Sequence, residues 1–315
     1  MSFWLFFLGI VCLVLGVFCK MSSDEVVDLR FRYDDLPQCI TGDDNAARQD
    51  AMFATYGEGT ACKYEVVVTK EMKAPVYLYY EMHNFYQNHR RFLGSRTQLR
   101  NRGWEKTDKE QAKCDPKRYV DMNQTLEVEP CGLAAWSFFN DTYAVYKVED
   151  GKNDTQVTVN EKGISWAIDR DDNFADHHAK NFNMEIYKDH RGGGTIVGPI
   201  NQNEHFLVWM REAAVANFWK LWGKIEEDIP AGTKLKFKIA NRYNSYGYDG
   251  KKFVILSTTT WLGGKNEPLW VMTILTGIFS GAVAAYFLYV HMYHVREFAD
   301  ISYLSWKQDE EMKLG

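Results

Sequence analysis

Two apolar runs, Phe3 to Cys19 and Leu269 to Val290, bracket a long segment in which apolar and polar positions alternate in short bursts. The second run carries no charge and no proline. At 1.5 Å per residue it is long enough for a hydrocarbon core of ~30 Å. Lys265 and Glu267 bound it on one side and His291, His294 and Arg296 on the other, with Trp270, Tyr286, Tyr289 and Tyr293 near its ends, where amphipathic rings favour the headgroup region. The pattern predicts a membrane span. Within it Gly277, Gly281 and Ala285 recur every four residues, so one face is nearly bare of side chains and could admit another helix at close range. The first run predicts an uncleaved spanning helix and not a signal peptide. It is longer than a usual signal core, no basic residue precedes it, and the nearest thing to a cleavage site is Val17-Phe18-Cys19. It is short for a bilayer, and Lys20 would have to snorkel.

Between the runs the pattern is that of strands. Tyr64 to Thr69, Val76 to Tyr80, Tyr143 to Val148, Gln156 to Val159 and Phe253 to Thr258 are short β-branched or aromatic runs, and Leu235, Phe237 and Ile239 alternate with lysines. Asp150-Gly151 between two of them reads as a hairpin turn. Phe206 to Ile225 follows helical spacing instead, which predicts an amphipathic helix of about five turns packed on the sheet. The expected fold is therefore a membrane protein with two transmembrane helices flanking a large α+β ectodomain, dominated by antiparallel β-sheet and carrying one long amphipathic helix. The expected segments are a first transmembrane helix at 1–20, an ectodomain at 21–268, a second transmembrane helix at 269–291 and a tail at 292–315.

Composition sharpens this in two ways. With 315 residues, 46% of them hydrophobic, the chain can bury a sizeable core. A formal charge of −5 with no long run of either sign lacks the electrostatic footprint of a nucleic-acid binder, so no nucleic acid is expected. Of the six cysteines, Cys12 and Cys19 fall in the first apolar run, while Cys39, Cys62, Cys114 and Cys131 all lie between the runs with no C-x-x-C spacing. An even number so placed favours disulfides in an oxidising compartment over a zinc site. Four cysteines permit three connectivities, of which the sequential one closes the shortest loops. Asn123, Asn140 and Asn153 each open an N-glycosylation sequon, and all three lie in the same inter-helix segment. Together these place the ectodomain on the luminal or extracellular side, with both termini cytosolic.

Signs of catalysis are few. Asp169, Asp171 and Asn173 begin like a calcium loop, but Phe174 and Lys180 stand where an EF-hand needs Gly and Glu, so a solvated loop is expected. The histidines, including His177-His178, show no metal-ligand spacing. Gly192-Gly193-Gly194 and Gly263-Gly264-Lys265-Asn266 lack the remainder of a phosphate loop, and no G-x-S-x-G elbow is present. No catalytic residue, cofactor or metal is expected.

Several blocks resemble a known family. They are Asn84-Phe85-Tyr86-Gln87-Asn88-His89-Arg90-Arg91-Phe92, Pro130-Cys131-Gly132-Leu133 leading to Phe139-Asn140-Asp141-Thr142, Gly163-Ile164-Ser165-Trp166, Asn203 to Arg211, and Ile255 to Asn266. In content, order and distance from the two helices they resemble the cell cycle control protein 50 family, accessory subunits of phospholipid-flipping type IV P-type ATPases. The resemblance implies a non-catalytic glycoprotein that forms a heterodimer with such an ATPase among membrane lipids. It implies, too, that the subunit serves the pump's folding, export from the endoplasmic reticulum and activity, with Golgi, endosome or plasma membrane as destination. It places the four ectodomain cysteines where the family has its bridges and matches Asn140 to a family glycosylation position. Arg90, Arg91, Gly277, Gly281 and Ala285 are the candidate partner contacts. Members usually carry a cytosolic segment before the first helix, whereas the apolar run here opens at Phe3. A different class, a cell-surface receptor or adhesion ectodomain, is the alternative expectation.

Overall fold

The computed structural model describes residues 2–55, 58–96, 114–120, 125–149, 151, 153–174, 178–184 and 193–294. The chain forms a helical unit, Met1–Val26 with Thr259–Gly315, and an ectodomain, Val27–Thr258.

In the helical unit α1 is Ser2–Glu25, and the last helix among the described residues, α6, is Glu267–Tyr293. Both are long and apolar enough to cross a membrane. Helix α6 starts where it does because the Asn266 side chain accepts a hydrogen bond from the Leu269 amide, and Pro268 sits in the first turn, where its missing N–H costs nothing. Helix α1 continues past Cys19 to Glu25, and Lys20 pairs with Asp24 on that added stretch.

The described residues of the ectodomain form nine strands: β1 Asp28–Arg32, β2 Thr60–Val67, β3 Val76–His83, β4 Thr142–Val148, β5 Thr155–Val157, β6 Val159–Asn160, β7 Phe218–Ile225, β8 Lys234–Asn241 and β9 Lys251–Ser257. They pair antiparallel in two sheets, ordered β1-β9-β3-β7-β6 and β2-β8-β4-β5. The chain passes from the second sheet to the first at Thr158, between β5 and β6. The inner faces pack on one another through rings: Phe31 of β1 stacks on Tyr64 of β2, and Tyr143 of β4 meets Trp222 of β7 edge-on. The short helices are α2 Asn45–Ala54, α3 Arg90–Arg96, α4 Leu133–Trp136 and α5 Glu204–Trp209.

The strands expected from alternation are present, except that the run expected at Gln156 to Val159 is broken at Thr158 between β5 and β6; Leu235, Phe237 and Ile239 of β8 are all buried as the pattern requires. Gly151, with φ +78°, follows β4 on the way to β5, as a turn would have it; Asp150 lies outside the described residues.

The long helix expected at Phe206 to Ile225 is not formed. Helix α5 stops at Trp209, and Phe218–Ile225 is a central strand of the first sheet. Two features hide its alternation. Lys220 points inward, with its ammonium donating to the carbonyls of Val208, Trp209 and Arg211, so a buried position carries a polar letter. A register shift then places one extra residue between Leu221 and Gly223, so both Trp222 and Gly223 are buried. The resulting spacing of Phe218, Leu221, Trp222 and Ile225 imitates a helix.

Candidate partner-facing surfaces

Helices α1 and α6 run antiparallel in close contact. A Cβ at Gly9 would lie 3.1 Å from the Gly277 carbonyl and 3.2 Å from the Gly281 amide, and one at Gly277 would lie 2.8 Å from the Leu13 side chain. One at Gly16 would collide with Ile274. Small residues on both helices thus let the backbones approach, which is how helices gain association energy in lipid. On α6 the buried row is Gly277, Ser280 and Ala284. Ala285, expected on the packed face, is exposed, because a repeat of four overruns the 3.6-residue turn and Ala284 takes the place instead. Gly281 lies at the margin, with open space where its own side chain would project.

In the ectodomain a fully buried polar cluster joins the two sheets. Lys252 of β9 pairs with Asp141, Nζ to Oδ2 2.6 Å, and also donates to Asn241 Oδ1 and the Tyr243 carbonyl. The Tyr33 hydroxyl donates to Asp141 Oδ2 at 2.5 Å and lies 2.9 Å from the Tyr143 hydroxyl. Burial, reinforced by the Asp141 charge, pushes the acidity of both tyrosines far from the physiological range, so they remain protonated donors. The amides of Arg242 and Tyr243 donate to the other Asp141 oxygen. Asn241 in turn donates to the Cys39 carbonyl, tying in the first disulfide. The bonded pairs are Cys39 with Cys62 and Cys114 with Cys131, while Cys12 and Cys19 are free thiols.

The sequon residues differ sharply. Asn153 is exposed, and Asn123 lies outside the described residues. Asn140 is half-buried: its Nδ2 donates to the Gly193 carbonyl at 3.3 Å, and its Oδ1 finds no hydrogen bond among the described residues. The next residue in its sequon is the fully buried Asp141.

The segment Asn84 to Phe92 divides between core and surface. The Phe85 ring packs against Trp209, Phe218, Tyr243 and Tyr248, and buried Gln87 bonds the Trp209 carbonyl and the Ala213 amide. Tyr86, Arg90 and Arg91 face solvent, and the two guanidinium groups form no ion pair among the described residues. A second surface, not anticipated from the sequence, is the outward face of the first sheet. There Tyr79 lies 6.1 Å from the half-exposed Trp219, and Arg30 stacks on Phe253 while bonding Glu81, which also bonds His83. Alternation along β3 was the available signal, because burying Val76, Leu78 and Tyr80 turns Tyr77 and Tyr79 outward.

Asp169 corrects the expectation of a solvated loop. It is buried within a π-helical turn, Asp169–Asn173, and is held by Arg211 at 2.6 Å and by Asn173 at 2.7 Å. Arg211 also lies over the Trp166 ring. Among the described residues no group of three or more His, Cys, Asp or Glu is placed to hold a metal ion; His177 lies outside them.

Relatives place this arrangement. The chain is 38% identical to ALA-interacting subunit 3 of Arabidopsis thaliana, over 96% of this chain and 82% of the relative. Putative ALA-interacting subunit 4 of the same plant is 37% identical, over 95% and 85%. Cell cycle control protein 50A of Bos taurus is 29% identical, over 87% and 78%. Residues 19–297 match the LEM3 (ligand-effect modulator 3) family / CDC50 family, and this two-helix membrane protein with its double-sheet ectodomain belongs to that family.

Proposed function

We propose that the chain is a non-catalytic accessory subunit of a type IV P-type ATPase that moves phospholipid to the cytosolic leaflet. The observation that carries this reading is the likeness along nearly the whole chain to proteins named as interacting subunits. The physical picture supports it: two helices zipped through glycines, and an ectodomain braced by a buried polar cluster around Lys252 and Asp141. In this reading the ectodomain lies on the luminal or extracellular side, where its disulfides are stable and its sequons meet the glycosylation machinery. The subunit forms a heterodimer with the pump, supports its folding and export from the endoplasmic reticulum, and is needed for its full activity.

The open side of α6 at Gly281 and Ala285 is the place for a pump helix, and Arg90 and Arg91 are the candidate ectodomain contacts. Exposed guanidinium groups suit an acidic patch on the partner. Purification in mild detergent followed by mass spectrometry tests the proposal. One large multi-span ATPase should copurify in stoichiometric amount. Recovery of the subunit alone, or with an extracellular ligand, would refute it in favour of a receptor or adhesion protein.

A further inference from the structure

We infer that Trp261 is a membrane-interface anchor, seated in the headgroup layer of the leaflet on the ectodomain side. The inference rests on the two spans and not on association with a pump. Thr260 to Gly263 is a tight turn closed by two reciprocal backbone hydrogen bonds of 2.9 Å, and Gly263 supplies the required positive φ of +104°. The turn holds Trp261 at 77% exposure. A side chain of this size left in water on a rigid turn is unusual without a purpose.

The height of the turn relative to the spans is fixed by contacts within the helical unit. The Ser22 hydroxyl of α1 is 2.6 Å from the Thr260 hydroxyl, and the Asn266 amide donates to the Ser23 hydroxyl at 3.1 Å. The Lys20 ammonium lies over the Trp270 ring at 5.5 Å, and this pair marks the level at which each apolar run ends. Ser22 is two residues further on, so the turn is tied to α1 about 3 Å beyond that level. The polar layer on each side of a bilayer is roughly 5 to 7 Å deep, being half the difference between total and hydrocarbon thickness. The indole therefore falls within that layer, where its apolar body and N–H donor are both accommodated. Met21, exposed at the same height on α1, extends the apolar belt beyond the first charge.

Hydroxyl-radical footprinting of the full-length subunit in phosphatidylcholine nanodiscs tests this without substitution. Trp166, 64% exposed in the ectodomain, is the internal reference. Trp261 should be oxidised at least fivefold more slowly than Trp166 in the subunit alone. Equal rates would overturn the inference, and protection that appears only when a pump is added would assign Trp261 to a protein contact instead. A second measurement uses Trp261→Cys in a Cys12→Ser, Cys19→Ser background, labelled with a fluorophore in vesicles containing headgroup-spin-labelled lipid. The label should be quenched at least threefold more than one at Lys162→Cys, and equal quenching would again overturn the assignment.

Discussion

Lys252 and Asp141 form an ion pair with Nζ and Oδ2 2.6 Å apart, and neither side chain is reached by solvent. Lys252 lies on β9 of the first sheet and Asp141 directly precedes β4 of the second, so the pair is a cross-brace, and removing either partner leaves an uncompensated buried charge. Lys252→Met should cost about 3 to 5 kcal/mol. Asp141→Asn should do comparable damage while keeping the Asn140 sequon intact. Thermal unfolding of the purified subunit, with retention in the endoplasmic reticulum as the cellular counterpart, measures both. A change below 1 kcal/mol would mean that the pair does not brace the sheets.

The bridges should be separable from the free thiols. Cys131→Ser is expected to cost about 2 to 5 kcal/mol, whereas Cys12→Ser in α1 should be almost silent. Peptide mapping under non-reducing conditions should recover Cys39 with Cys62 and Cys114 with Cys131. Any peptide linked to Cys12 would contradict the arrangement.

Gly277 and Gly281 should respond differently to bulk. Gly277→Leu drives a side chain into Leu13 and the backbone of α1, so it should split the helix pair and lower the yield of the subunit itself. Gly281→Leu has room in the subunit and should lower only the amount of ATPase that copurifies. Leu288→Ile, on an exposed part of α6, serves as the neutral comparison. Loss of subunit with Gly281→Leu would place that residue inside the pair.

Glu204 clamps the segment that follows Gly163. It accepts from the Gly163 and Ser165 amides at 2.8 and 2.9 Å and from the Ser165 hydroxyl at 2.8 Å. Burial works to raise its carboxyl pKa, but these hydrogen bonds and the Arg170 charge outweigh it and hold the group below the ordinary carboxylate range. A depressed folded-state pKa contributes stability that is present above the unfolded value of about 4.3 and is lost as pH falls through the lower folded value. Amide exchange at Gly163 and Ser165 should therefore accelerate only well below about pH 4 in the native protein. Glu204→Gln should exchange fast at neutral pH too, and identical profiles would remove the clamp.

Asn140 and Asn153 should accept glycan at different times. Asn140 is half-buried beside a buried Asp141, so a transferase can grasp that sequon only before β4 docks. Asn153 stays accessible in the folded state. Deglycosylated, refolded subunit offered to the transferase should regain glycan at Asn153 and not at Asn140, as intact-mass measurement would show.

Much of the architecture was legible in the sequence, because the features that dictate it are local. A charge-free apolar run and the strict alternation of Leu235, Phe237 and Ile239 need no knowledge of the rest of the chain. The failures share the opposite character. Phe218–Ile225 was misread because its buried lysine is satisfied by carbonyls of the preceding segment and its extra residue is defined only against β3. The Lys252 and Asp141 pair could not be seen at all, since both letters read as surface charge until the fold brings them together. Of the candidate contacts, Arg90, Arg91 and Ala285 are exposed, while Gly277 is used up inside the subunit.

The pairing of β1 with β9 carries a consequence for biosynthesis. Arg30 lies opposite Ile255, and β9 then separates β1 from β3 in the finished sheet. The first described strand is thus held by the last described one, and it has to wait while more than two hundred residues are added. At about 5 to 20 residues per second that wait is on the order of 10 to 50 s. During it β1 and the inner edge of β3 are unpaired, a state prone to wrong pairing and to capture by folding helpers. A ribosome that stalls anywhere before Lys251 leaves the first sheet without β9, the strand that joins β1 to β3, so β1 has no place to dock until this one strand is complete.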